Sequence, residues 1–147
     1  MICASEVKEK AIIAKHQMEE QKKQEREQAE RERQVRIKRS ITHCETAINQ
    51  ELLHAAKHGL TSITLHYGTD NYHRGVQHVT KDSVKYANGK PSYSGRGDFM
   101  ELSAIINYLK EHCFSVSSKS WFYMSFGSGR LEGYELTISV PSKLQCD

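Results

Sequence analysis

The chain is poor in the features that most often disclose a function. Its four cysteines, Cys3, Cys44, Cys113 and Cys146, are widely spaced and form no C-x-x-C pair. A zinc knuckle or thioredoxin-like motif is therefore not expected, and the spacing reads as four reduced thiols of a cytosolic protein. No apolar run approaches membrane-spanning length, and MICASEVKEK lacks the apolar stretch of a signal peptide. Lys and Arg exceed Asp and Glu by only 3 charges over 147 residues, so the chain is not a polycation. G-x-S-x-G, H-E-x-x-H and paired-carboxylate patterns are missing, which leaves no catalytic residue to nominate. No cofactor motif is present either. His73 and His78 are too far apart for a strong zinc signature, so no metal is expected.

What is abundant is charge of both signs in one place. From Glu19 to Arg39 only Ala29, Val35 and Ile37 interrupt a run of Glu, Lys, Arg and Gln. No globular core can use such a segment, so it must be a solvated helix or lie along a partner. Ser5 caps the start, with Glu6 and Glu9 opposing the dipole. Val7, Ala11, Ala14 and Met18 fall on an a/d seam that turns polar further along. Glu19–Lys23, Glu27–Arg31 and Glu32–Arg36 are i,i+4 pairs in the favourable orientation. Residues 1–39 are thus expected to be an extended charged helical arm, and 40–147 a compact head.

The head reads as α+β. Ile37, Ile41, Cys44, Ile48, Leu52 and Ala55 make an amphipathic stripe ending at Lys57-His58-Gly59. Thr42-x-x-Glu45 fits a capping box, predicting a fresh helix or kink at Thr42. Thr61–Tyr67 alternates as a half-buried strand. Val76–Val79 and Ser83–Tyr86 read as short strands and Ala87–Gly97 as loop. Asp98, with Glu101 three residues on, is expected to cap a second helix facing the core through Phe99, Leu102, Ile105, Ile106 and Leu109. Phe114–Ser118, Trp121–Phe126 and Tyr134–Val140 read as strands, the last two joined in a hairpin at Gly127–Arg130. The expected architecture is a long charged helix followed by a two-layer head, with two helices on a mostly antiparallel sheet of four or five strands.

Binding residues are sought between Tyr67 and Gly97. Tyr72, Arg74, Lys81, Lys85, Tyr86, Lys90, Tyr93 and Arg96 combine cations with aromatic rings. That combination suits phosphates and stacked bases, or a protein interface. Arg130, in the Gly127–Arg130 turn, joins this set because backbone N–H groups there can cradle an anion. Arg96-Gly97-Asp98 is better explained as a helix start than as an adhesion tripeptide. The contact points favoured by this reading are the apolar tip Val7–Met18 and the basic, tyrosine-bearing segment.

The helix ending AAKHGLTSITL, the segment IINYLKEHCFSVSS and the aromatic hairpin before ELTISVP carry a resemblance. Over about residues 41–141 the chain resembles the small orphan accessory proteins of bacteriophages and mobile elements, a group that includes anti-CRISPR inhibitors. Cys113 departs from the Gly usual at that helix end. The resemblance implies a non-enzymatic cytoplasmic protein of a bacterial host cell that binds and inhibits a host protein or nucleoprotein, such as a CRISPR effector. Direct nucleic-acid binding through the basic segment is the alternative. No membrane partner is expected, and the arm's seam allows a weak homodimer.

Overall fold

The structure, a computed structural model, describes residues 1–69, 75–79, 84–87, 90–93, 99–125 and 129–143, with the backbone alone in 84–87, 90–93, 121–125 and 129–132. The chain divides into two compact units, Met1–Val35 and Arg36–Asp147.

The first unit is the greater part of helix α1, Ala4–His43. Every residue of this unit is exposed, the apolar Val7, Ile12, Ile13 and Met18 included. Of the expected ion pairs, Glu27–Arg31 forms at 3.9 Å between well-exposed side chains. Gln28 donates to Glu32 and Gln34 to Glu30. Glu32–Arg36 does not form, because Arg36 turns to Glu101 in the head. No Glu19–Lys23 pair is present among the described residues. Exposed pairs of this kind are worth a few tenths of a kcal/mol, about 0.3–0.5. The unit is helical because its residues are good helix formers.

In the second unit, α1 ends at His43, passes into a π-helical turn at Cys44–Ile48 and continues as α2, Asn49–Lys57. The expected capping box at Thr42 is not used. Thr42 Oγ1 instead donates to the Lys38 carbonyl, Ser40 to Arg36 and Thr46 to Thr42. Three such bonds back into the preceding turn compete with the regular ladder. The chain answers with a wider turn rather than a new helix start.

The strands are β1 (Ser62–Thr69), β2 (Val76–Val79), β3 (Val84–Ala87), β4 (Lys90–Tyr93), β5 (Ser115–Ser125) and β6 (Gly129–Ser139). Helix α3, Leu102–Glu111, lies between β4 and β5. Four strands form an antiparallel sheet in the order β2-β1-β6-β5. The α+β expectation holds. β5 is one continuous strand where a break near Lys119 was expected, and it pairs with β6 as a long hairpin. Lys90–Tyr93, expected as loop, pairs with β3 in a separate two-stranded sheet. Ala87 pairs with Lys90 at the end of this hairpin's register.

The core joins the helices to one face of the sheet. Leu65 stands opposite Leu136, Tyr67 opposite Tyr134 and Ile63 opposite Ile138. Against them pack Cys44, Ile48, Ile105 and Leu109, with Val76 and Met100 completing the cluster. Each fully buried Ile or Leu contributes about 1.5–3 kcal/mol.

Helix α3 does not start as expected. Glu101 is extended and Met100 makes a two-way backbone bridge with Val76, so Phe99 precedes the helix. Asp98, its expected cap, lies outside the described residues. Glu101 is taken up by α1. Its carboxylate accepts from Arg36 Nε at 2.6 Å, and its N–H donates to Ser40 Oγ at 2.8 Å. Ser40 is fully buried and fully partnered. Gly75 closes the same junction at φ +133°, where a Cβ would lie 2.5 Å from the Met100 carbonyl oxygen.

The expectation of four reduced thiols holds for Cys3 and Cys44. It fails for Cys113, which is disulfide-bonded. The thiol argument for a cytosolic location therefore no longer carries. No helix among the described residues is long and apolar enough to cross a membrane.

Candidate functional site

The sequence candidates fall in three places. Tyr72, Arg74, Lys81 and Arg96 lie outside the described residues. Lys85, Tyr86, Lys90 and Tyr93 lie on the β3–β4 hairpin, whose register pairs Lys85 with Ser92, Tyr86 with Pro91, Ala87 with Lys90 and Val84 with Tyr93. With a strand period of two, this places Lys85 and Lys90 on one face and Tyr86 and Tyr93 on the other. Arg130 lies on β6 opposite Met124.

A concavity among the described residues of the head lies elsewhere, where the C-terminal ends of α2 and α3 come together. Both helices end in the same way. After α2, the Leu60 N–H reaches the Ala55 carbonyl and Gly59 reaches Ala56, with Gly59 at φ +77°. After α3, Phe114 reaches Leu109 and Cys113 reaches Lys110, with Cys113 at φ +68°. These are Schellman closures, which turn the chain sharply and set an apolar residue against the last helical turn. In each, a ring nitrogen of the last histidine bonds back to a carbonyl one turn earlier: His58 to His54 and His112 to Tyr108, both at 2.9 Å. The rings lie close accordingly: His54 and His58 are tilted with centroids 4.5 Å apart, and Tyr108 and His112 are stacked at 4.2 Å.

Between the two ends lies an open groove of about 500 Å³. Cys44, Ala55 and Leu109 are buried at its floor, while Leu53, Leu60 and Val140 line it with 55%, 59% and 44% of their surface still exposed. Among the described residues Glu45 is the only lining carboxylate, and it accepts from Tyr108 Oη at 3.3 Å. The Tyr108 phenol is pushed up by desolvation and then by Glu45, with Glu111 contributing in the same direction. The Cys44 thiol is pushed up to about 12 by burial, with Glu45 adding, so it is not a nucleophile at neutral pH. A mostly apolar groove with few polar groups is a binding shape.

A second cluster lies beneath the sheet's β2 edge. His43 Nε2 and Tyr67 Oη are hydrogen-bonded at 2.9 Å, and His78 stands beside both rings, 5.4 Å from His43 and 5.5 Å from Tyr67. Tyr67 and His78 face each other because they are register partners on β1 and β2. Burial pushes His43 down to about 4, helped by His78, and it raises the buried Tyr67 phenol. His78 is lowered by desolvation, opposed by Glu51. The cluster is therefore held neutral. Among the described residues no group of three or more His, Cys, Asp or Glu side chains is placed to hold a metal ion.

The sequence reading missed the groove, though a signal existed. Lys57-His58-Gly59-Leu60 and Glu111-His112-Cys113-Phe114 are two copies of one helix ending, each preceded by an aromatic ring four residues before its histidine. The His43–Tyr67–His78 cluster had no local signal, since strand register creates it. No family model, curated protein or solved structure matches the chain.

Proposed function

We propose that the protein is a stoichiometric binding protein that occupies a surface of a host nucleoprotein, such as a CRISPR effector, in a bacterial cytoplasm. The observation that carries this reading is α1, whose residues Ala4–Val35 are all exposed and belong to the first compact unit, Met1–Val35. A solvated helix with balanced charges supplies a long recognition surface without needing a core of its own. The resemblance of style drawn from the sequence over residues 41–141 suggests the class of partner and is part of the proposal. In it the head is a scaffold, and the contacts come from the arm and from the segment 67–97.

The test is titration of the full-length protein into target-DNA cleavage by a purified, guide-loaded CRISPR effector. Inhibition should saturate at a fixed ratio of protein to effector. Unchanged cleavage at large molar excess overturns the reading for that effector.

A second reading, direct nucleic-acid binding, is favoured by one observation: Lys85 and Lys90 share a face of the β3–β4 hairpin. Against it, the strand register places Tyr86 and Tyr93 at positions of the opposite face of the hairpin. Gel shifts separate the readings. Direct binding weakens steeply as salt rises, and the absence of any shift at low salt removes it.

A further inference from the structure

The two Schellman endings differ in one respect that bears on chemistry. Four residues before its last histidine, α3 carries Tyr108, while α2 carries a second histidine, His54. His54 and His58 thus form H-x-x-x-H, one turn apart on the same side of α2. This is the spacing by which a helix presents two imidazoles to one metal ion. Both residues are exposed, and neither is among the described residues that line the groove. The pair is also separate from the cluster of His43, Tyr67 and His78 at the sheet edge.

His58 is prepared as a ligand by its own hydrogen bond. A carbonyl oxygen can only accept, so the 2.9 Å contact with the His54 carbonyl makes Nδ1 the protonated nitrogen of His58. In the neutral ring Nε2 is then the unprotonated nitrogen, and a carbonyl on the other ring N–H is the usual support of a metal-binding histidine. The two ring centroids lie 4.5 Å apart at an interplanar angle of 53°. Two imidazoles that share one ion through Nε2 at about 2.0–2.1 Å, with an N–metal–N angle of about 90–110°, place their ring centres about 4.5–5.2 Å apart. The terminal carbonyls of α2 add negative potential at this end of the helix. Lys57 opposes it from the same turn, but it is exposed to water. We propose that His54 and His58 chelate a divalent cation of the late first row, such as Zn²⁺. No third His, Cys, Asp or Glu side chain joins them among the described residues, so water completes the coordination. The inference does not rest on the function proposed above.

Calorimetric titration of the full-length chain with Zn²⁺ tests it. The wild type should bind with a Kd below about 0.1 mM. His54→Gln and His58→Gln should each weaken binding at least about tenfold. Both positions are exposed, so the metal-free variants should keep the wild-type circular dichroism spectrum and thermal transition. His112→Gln, which removes the matching ring from the other helix ending, should bind as the wild type does. Long-range ¹H–¹⁵N spectra should place the ion on Nε2 of His58, with Nδ1 still protonated. A wild type that takes up no Zn²⁺ at about 1 mM overturns the proposal, as do His54→Gln and His58→Gln variants that bind like the wild type. A His112→Gln variant that loses as much as they do also overturns it, since that result belongs to uptake by scattered surface histidines.

Discussion

The two halves of α1 share one backbone conformation and almost nothing else. Through Val35 every side chain meets water, and the helix rests on propensity and a few exposed pairs. From Arg36 onward the same helix is held from outside. Arg36, Ser40, Cys44 and Ile48 follow at intervals of four, and each contacts or packs against the body of the head. Helicity is thus achieved twice by different means, and the difference predicts where a substitution will be felt.

The largest effect should come from the head half. Ile48 is 1% exposed, and Ile48→Ala should cost about 2–5 kcal/mol in urea unfolding monitored by circular dichroism. Gly75→Ala should follow at about 1–3 kcal/mol, because its φ disfavours a side chain and the Met100 carbonyl leaves no room. Arg36→Ala should cost about 1–2 kcal/mol, since Glu101 is left partly buried without its partner. Acid should act on the head half as well. His43 is held down to about 4, against 6.5 in the unfolded chain. The unfolded state therefore takes up its proton first, so this contribution to stability is complete above about pH 6.5 and fades toward pH 4. Thermal melts across that range should show the decline, and His43→Gln should flatten it. The smallest effect belongs to the arm: Ile13→Ala should stay within about 0.5 kcal/mol of the wild type. An arm substitution that rivals Arg36→Ala would break the comparison.

The contrast also separates what the sequence could and could not disclose. The charged run disclosed the long N-terminal helix, and alternation at Thr61–Tyr67 and Tyr134–Val140 disclosed two of the main strands. The capping box at Thr42 misled, and the helix expected to include Phe99 starts only after Glu101, for related reasons. Thr42 found a carbonyl one turn back, and Glu101 found Arg36, 65 residues away in sequence. Local motifs state what a side chain can do, and tertiary partners decide what it does. Ser40 is the clearest instance. A polar residue on an apolar stripe looks like a flaw until α3 arrives to share its hydroxyl.

The place of β5 at the margin of the sheet has a different consequence. An eleven-residue strand with one edge unpaired among the described residues is a template on which foreign strands could polymerise. Its first half reads Ser-Val-Ser-Ser-Lys-Ser, with Lys119 and its neighbouring serines exposed. A strand docking there would have to strip water from an ammonium group and several hydroxyls for little apolar contact in return. The serine and lysine run therefore acts as a gatekeeper against fibrillar stacking, a task unrelated to any ligand.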